Sequence, residues 1–420
     1  MNLLRKFMTL ALGEGAARAL GVITHVVIAR SLGVEQFGVF SFAMSIAVIA
    51  MVVTDMGQNA NITRIISRAG GGKTHLYARA TANKLGIGAL ATVLVTGVML
   101  LAGASGQVVG TIALMMGWAS VMGAVEGARA VMRARETMAG DAAITSFESV
   151  MRAVATVIAA LLGASVVGFG AAFFAEACIT AAIVFAVLRG RVRLVPTAEE
   201  WKASRTFLRE AAGIGLVAIA TIGFYRVDQV FILPLAGEAQ SGLYGAAARV
   251  AFTATAGTSL VAMAVSPRLA AAYRDRAAFG RSAWNAIALA AGAGLLAAVA
   301  LAVLAEPVMV LLFGVEYAEG AVLLRILAFA VAVKAVGSIG MSCANALHRE
   351  RKALPRVVVL VVLIALANLV LVPMYGALAS AWISVVGELL LMAALLTLSW
   401  DMLFGRGKRG EPIEVDEQCV

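Results

Sequence analysis

Charge is scarce in this chain, and the side chains that usually carry enzyme chemistry are scarcer still. Only 14% of the 420 residues are Asp, Glu, Lys or Arg, and there are three cysteines and three histidines. Cys178 and Cys343 fall inside apolar stretches and Cys419 lies in the tail, so neither a disulfide framework nor a thiolate metal site is expected. His25, His75 and His348 are far apart in sequence and form no His-x-x-x-His pair. There is no nucleophile elbow, and Gly70-Gly71-Gly72 lacks the spacing of a phosphate-binding loop and reads as a flexible tip. These absences exclude the common soluble-enzyme chemistries, and no cofactor and no metal are expected.

Apolar residues make up 61% of the chain, and its mean hydropathy is +0.93. Runs of about 20 apolar residues recur throughout, each long enough to cross a bilayer core of roughly 30 Å. The runs are continuous rather than alternating, which excludes a membrane β-barrel. The fold class is therefore all-α, a polytopic membrane protein. The basic N-terminus, Met1 to Phe7, precedes a long apolar segment with no small-residue cleavage site, and reads as leading into a retained first span.

Twelve segments can be drawn, at about 8–30, 37–60, 81–102, 107–130, 141–163, 166–188, 208–234, 239–264, 282–304, 319–344, 354–373 and 376–403. The net charge of +10 would suggest nucleic acid in a soluble protein. Here it follows from topology, and no nucleic-acid partner is expected. Lys and Arg crowd alternate connections: Arg64 to Lys84, Arg129 to Arg135, Arg189 to Arg209, Arg268 to Arg281 and Arg349 to Arg356. The intervening turns, around residues 31–36, 103–107, 164–168, 235–240, 305–318 and 374–375, contain none. The positive-inside rule then puts both termini in the cytoplasm, with anionic-lipid contacts as a secondary role for the basic residues. The outer turns are too short for an external catalytic domain.

One motif occurs twice. Gly33 to Phe40 reads Gly-Val-Glu-Gln-Phe-Gly-Val-Phe, and Gly237 to Tyr244 reads Gly-Glu-Ala-Gln-Ser-Gly-Leu-Tyr, an offset of 204 residues. The same offset carries Arg64 onto Arg268. The chain thus reads as a duplication: a first lobe of spans one to six over residues 1–188, an inter-lobe linker over 189–207, a second lobe of spans seven to twelve over 208–404, and a cytoplasmic tail over 405–420. A short surface helix is expected at Trp201 to Phe207. In the motif itself, glycine supplies the backbone angles of a tight turn.

Charges inside the spans cost at least about 2.5–3.5 kcal/mol each at a helix centre, so they face protein or a water-filled cavity. Basic residues there include Arg18, Arg30, Arg152, Arg226, Arg249, Arg325 and Lys334; the acids are Glu14, Asp55, Glu126, Glu148, Glu176, Asp228 and Glu388. Glu14, Arg18 and His25 fall within roughly 40° of one another on the first span. A cavity wall meeting an anionic substrate and an intrahelical Glu14–Arg18 pair both fit this stripe, although three polar residues exceed what a pair requires. Glu148 and Arg152 repeat the spacing on span five. Arg226 and Asp228 point to opposite sides of span seven. Asp55 reads either as an ion site or as a helix-end residue paired with Arg64 or Arg68.

Ala29-Arg30-Ser31-Leu32-Gly33, Phe37-Gly38-Val39-Phe40-Ser41, Asp55-Met56-Gly57 and Arg64 resemble the opening of the oligosaccharide flippases. These are polysaccharide biosynthesis exporters of the multidrug/oligosaccharidyl-lipid/polysaccharide (MOP) superfamily. Asp228-Gln229, Gly242-Leu243-Tyr244 and Arg249 are similar in the second half. The resemblance implies two pseudo-symmetric six-helix lobes, a cavity lined by spans one, two, seven and eight, and alternating access in the bacterial inner membrane. The implied cargo is an undecaprenyl-diphosphate-linked oligosaccharide moved to the outer leaflet, with membrane lipids and a polysaccharide polymerase or glycosyltransferase as partners. Arginines suit a diphosphate because their donors are fixed and their charge is permanent. Arg18 is the first candidate for that contact, with Glu14 and His25 beside it, followed by Arg226, Arg249 and Lys334. The competing reading is a cation-coupled multidrug extruder of the same superfamily, with Asp55 or Asp228 as its ion site. A membrane glycan polymerase lacks the outer catalytic loop it would need.

Overall fold

The computed structural model describes residues 3–68, 76–135, 137–188, 197, 204–273, 275–347 and 349–401, with the side chains of 3–19, 138, 256, 258–260, 350 and 351 left out. The Gly70 to Gly72 tip, His75, His348, most of the 189–207 segment and the 405–420 tail lie outside the described residues. All regular structure among the described residues is helical. The order is α1 (Leu3–Asp55), α2 (Gln58–Arg68), α3 (Leu76–Leu101), α4 (Gly106–Ala134), α5 (Met138–Leu161), α6 (Val166–Leu188), α7 (Ser204–Ala236), α8 (Glu238–Ala272), α9 (Arg276–Val303), α10 (Ala305–Phe313), a 3-10 turn (Val315–Tyr317), α11 (Gly320–Ala346), α12 (Glu350–Tyr375) and α13 (Ala377–Thr397).

Ten helices among the described residues are long and apolar enough to cross a membrane, where the hydropathy pattern suggests about twelve. One of the ten, Leu20–Arg68, contains a break that separates two successive apolar segments, and α8 is not among them. The chain divides into two compact units, Met1–Arg226 and Val227–Val420. The dividing point lies within α7.

The break shows what the repeated motif does. Gly33 interrupts α1 with φ 70° and ψ 177°, and Gly237 separates α7 from α8 with φ 91° and ψ 171°. Both are left-handed in φ, where a side chain would be strained. Three residues later each copy supplies a glutamine. Gln36 Oε1 accepts from the Val166 backbone N–H at 3.3 Å, and Gln240 Oε1 accepts from that of Ala377 at 2.6 Å. Val166 opens α6 and Ala377 opens α13, so each glutamine caps the start of a spanning helix in its own unit. First-turn N–H groups have no intrahelical acceptor, and a remote side-chain oxygen satisfies one of them. Gln36→Ala and Gln240→Ala should each lower stability by about 1–2 kcal/mol. Thermal unfolding in detergent would check this, with the larger loss expected at the shorter contact.

In the first unit α4 packs against α1, α3 and α6. Its core is aromatic: Phe40 meets Phe173 edge-on at 5.4 Å between centroids, and Trp118 meets Phe173 at 6.0 Å. The second unit is built around α11, packed on α8, α9 and α13. Here small residues set the spacing: Ala283, Ala286 and Ala290 of α9 pack with Ala335 and Ile339 of α11. Close approach through alanine and glycine is how membrane helices gain packing when lipid offers no hydrophobic driving force.

The short α10 and the 3-10 turn fill the longest of the Lys/Arg-free connections. Tyr317 is buried there against Phe313, 5.5 Å between ring centroids, and burial holds its phenol above the ordinary pKa. At the far end of the second unit, arginines close the C-terminus of α13. Arg349 binds Asp401 through two bonds, at 2.5 and 2.7 Å, and donates to the Leu398 carbonyl at 2.6 Å. Arg356 donates to the Ala394 carbonyl at 2.5 Å. Cations at a helix C-terminus complement its dipole. The Asp401 contact raises the Arg349 pKa.

Candidate functional site

Polar side chains gather at a few places inside each unit. In the first unit Asp55 ends α1, and its partner is neither Arg64 nor Arg68. Lys84 of α3 lies 2.9 Å from Asp55 Oδ1, and the Lys84 side chain is 1% exposed against 21% for Asp55. Lys84 also donates to Asn59 Oδ1 at 2.5 Å and to the Gly123 carbonyl at 3.0 Å, while Asn83 reaches Gln58 at 3.2 Å. An ammonium with three oxygen partners, one of them a carboxylate, is a balanced arrangement. The loop charge expected at position 84 is therefore a core charge, because α3 begins at Leu76, more than two turns earlier.

A second group links α4 and α5. Arg129 bonds Glu126 and Asp141, both at 2.7 Å; Arg133 bonds Glu126 at 2.7 Å and Asp141 at 3.3 Å. Two cations face two anions in a closed, half-buried ring. The third group joins α5 and α6. Arg152 donates to Glu148 one turn earlier, and its Nε lies 3.7 Å from Glu176 Oε2. The guanidinium sits over the Trp118 and Phe173 rings, at 5.3 and 5.9 Å.

In the second unit Asp228 is held by three groups. Its Oδ1 accepts from the Gln229 backbone N–H at 2.7 Å; Oδ2 accepts from the Tyr244 hydroxyl and from Ser384 Oγ at 3.1 Å. Tyr244 closes the second copy of the motif. Ser380 of α13 donates to Asn368 Oδ1 of α12 at 2.6 Å. Lys334 of α11 places its ammonium 5.0 Å from the Phe252 ring centre, and its charge is felt by Glu388 of α13.

The remaining sequence candidates fall as follows. Glu14 and Arg18 are on the α1 backbone, but their side chains are outside the described residues. His25 is half-buried, with Nδ1 2.8 Å from the Gly21 carbonyl and its ring edge-on to Phe40 at 6.2 Å. Arg226 is half-buried on α7 and Arg249 half-buried on α8. Sequence reasoning did not find Lys84 as the partner of Asp55, nor Tyr244 and Ser384 as those of Asp228. The repeated motif was a usable signal for Tyr244. Ser384, 156 positions from Asp228 on a helix rich in small residues, left none.

The family model described as polysaccharide biosynthesis protein matches residues 3–273. Among solved structures, an inward-facing multidrug resistance MATE family transporter of the MOP superfamily is 17% identical, covers 92% of this chain and 94% of its own, and superposes with a TM-score of 0.73. The lipid II flippase MurJ, in an inward closed conformation, is 12% identical over 93% of this chain and 87% of its own, with a TM-score of 0.77. A MOP superfamily transporter from Pyrococcus furiosus, described as having a binding pocket of reversed polarity, is 16% identical over 96% and 95%, with a TM-score of 0.63. No curated protein sequence matches.

Proposed function

The chain belongs to the polysaccharide biosynthesis protein family, with the fold of the MOP superfamily, and from that premise we propose that it flips a lipid-linked oligosaccharide across the membrane. The family and the fold are those of transporters rather than enzymes. The observation that carries the reading is the family match over residues 3–273, which favours a glycan cargo over a drug. The proposed cargo is an undecaprenyl-diphosphate-linked oligosaccharide, moved from the cytoplasmic to the outer leaflet of the bacterial inner membrane by alternating access. Both termini are proposed to be cytoplasmic. Polysaccharide polymerases and glycosyltransferases are the proposed protein partners.

A diphosphate head group calls for fixed cations at membrane depth. Arg18 is proposed as the first contact, with Glu14 and His25 on its stripe, and with Arg226, Arg249 and Lys334 as further contacts. Lys334 stands over an aromatic ring, where a cation keeps its charge available while part of its surface is sheltered. Asp228 and Asp55 are the acids proposed for ion coupling.

The test is transfer of a lipid-diphosphate-linked oligosaccharide in proteoliposomes, read as the fraction of head groups reachable from outside. Wild type should transfer it. Arg18→Ala, with folding intact, should lower the rate at least about tenfold, as expected for a lost charge-assisted contact. Transfer by both proteins would keep the function and remove Arg18 from it. Absence of glycan transfer, together with export of cationic dyes under an ion gradient, would assign the chain to multidrug extrusion.

A further inference from the structure

The buried charges of the first unit do not all balance. Lys84 and Asp55 sum to zero, and so does the ring of Glu126, Arg129, Arg133 and Asp141. The α5–α6 group does not: Arg152 faces two carboxylates, Glu148 and Glu176. Fully ionised, it carries one net negative charge.

Its position makes that excess costly. Arg152 and Glu176 lie nine and ten residues from the helix ends that meet at the 161–166 turn. At a rise of about 1.5 Å per residue, this is roughly 14–15 Å into a core about 30 Å thick. Glu176 is 1% exposed. Thr180 Oγ1 donates to its Oε1 at 3.1 Å, while Oε2 and Arg152 Nε have no hydrogen-bond partner among the described residues. An uncompensated carboxylate at this depth is disfavoured by several kcal/mol, and it is relieved by taking up a cation.

We infer that the Glu148–Arg152–Glu176 cluster is a binding site for one proton, taken up at Glu176. The inference goes beyond the proposed flipping activity and does not depend on the cargo. A proton from the aqueous phase adds to a carboxylate oxygen, and the cluster passes from a charge of −1 to zero.

Among the described residues, the surrounding elements supply no cation that would do this instead. On α4 the cluster meets the neutral Trp118, and Arg129, whose charge also interacts with Glu148, already faces Glu126 and Asp141. On α6 it meets Phe173 and Thr180. From α1, which packs on α5, His25 stands behind Phe40, edge-on to Phe173, with one ring nitrogen on the Gly21 carbonyl. The side chains of Glu14 and Arg18 of α1 lie outside the described residues.

The sum predicts opposite effects for the two kinds of substitution. Glu176→Gln or Glu148→Gln leaves one carboxylate for one guanidinium, so no proton is required. Arg152→Gln leaves two carboxylates without a cation, so two are. The experiment is infrared difference spectroscopy of the purified protein through a pH titration, reading the carbonyl band of protonated carboxylic acid. Wild type should show a titrating component equivalent to one carboxyl group beyond the contribution of the other acids of the chain. Either Glu→Gln variant should lose it, and Arg152→Gln should double it. A purely structural ion pair would predict no such doubling.

Wild-type protein provides a second readout that survives any folding failure of these variants. The pH-dependent part of its fluorescence missing from Trp118→Phe should share the midpoint of the infrared band. A band unchanged in both Glu→Gln variants would overturn the proposal. So would a band that is insensitive to pH and lost on adding sodium at fixed pH, which would make the site one for a metal cation. Neither result bears on whether the protein moves glycans.

Discussion

Lys84→Met should be the most damaging single substitution in the first unit, lowering stability by about 3 kcal/mol or more. It removes the ammonium that serves Asp55, Asn59 Oδ1 and the Gly123 carbonyl together. Asp55 remains as a largely buried carboxylate with its cation gone, and two further oxygens lose a donor. Breaking one partner of a buried pair costs far more than the pair contributes as a whole. Lys84→Met combined with Asp55→Asn should therefore recover most of the loss. Thermal unfolding of wild type, the two single variants and the double variant in one detergent measures this coupling directly. Additive losses would show that the two residues do not act as a pair.

A second large effect is expected where the turn after α1 meets the first half of α7. A Cβ on Gly57 would lie 2.6 Å from both the Ala211 carbonyl oxygen and the Gly215 nitrogen, and its φ of +78° is itself unfavourable for a side chain. A methyl on Gly215 would overlap the Met56 carbonyl from the other side. These are backbone atoms, so the clash cannot be relieved by a rotamer change. Gly57→Ala and Gly215→Ala should each cost about 2–4 kcal/mol, from overpacking plus, at Gly57, backbone strain. Gly213→Ala, two residues from Gly215 on the same helix and facing open space, should be near neutral. A neighbouring contact gives an independent check. Arg79 stacks its guanidinium 4.4 Å above the Phe207 ring, and Phe207→Leu should cost about 1 kcal/mol by loss of that cation–π contact. Unfolding midpoints of the four variants would rank them.

Much of the architecture was legible in the sequence because the bilayer imposes a one-dimensional rule. Each crossing must be helical and apolar for about 20 residues, so hydropathy alone gives the fold class and most of the helices. The repeated motif was legible because Gly33 and Gly237 both adopt a positive φ, which favours glycine. Composition also separated a polytopic membrane protein from a soluble enzyme. A budget of seven acids and seven bases within or beside the spans was likewise countable from the sequence.

Which of these charges meet was decided by tertiary structure. Helical periodicity relates residues one turn apart, and it correctly placed Glu148 beside Arg152. It is silent about partners on other helices. Lys84 reaches back to Asp55, Glu176 comes to Arg152 from α6, and Ser384 joins Asp228 across 156 positions. The same limit applied to the repeated glutamines, whose role emerged only when Val166 and Ala377 were found at their side chains. Ion pairs inside a membrane depend on distance and burial, and neither is a property of sequence spacing once the chain has turned.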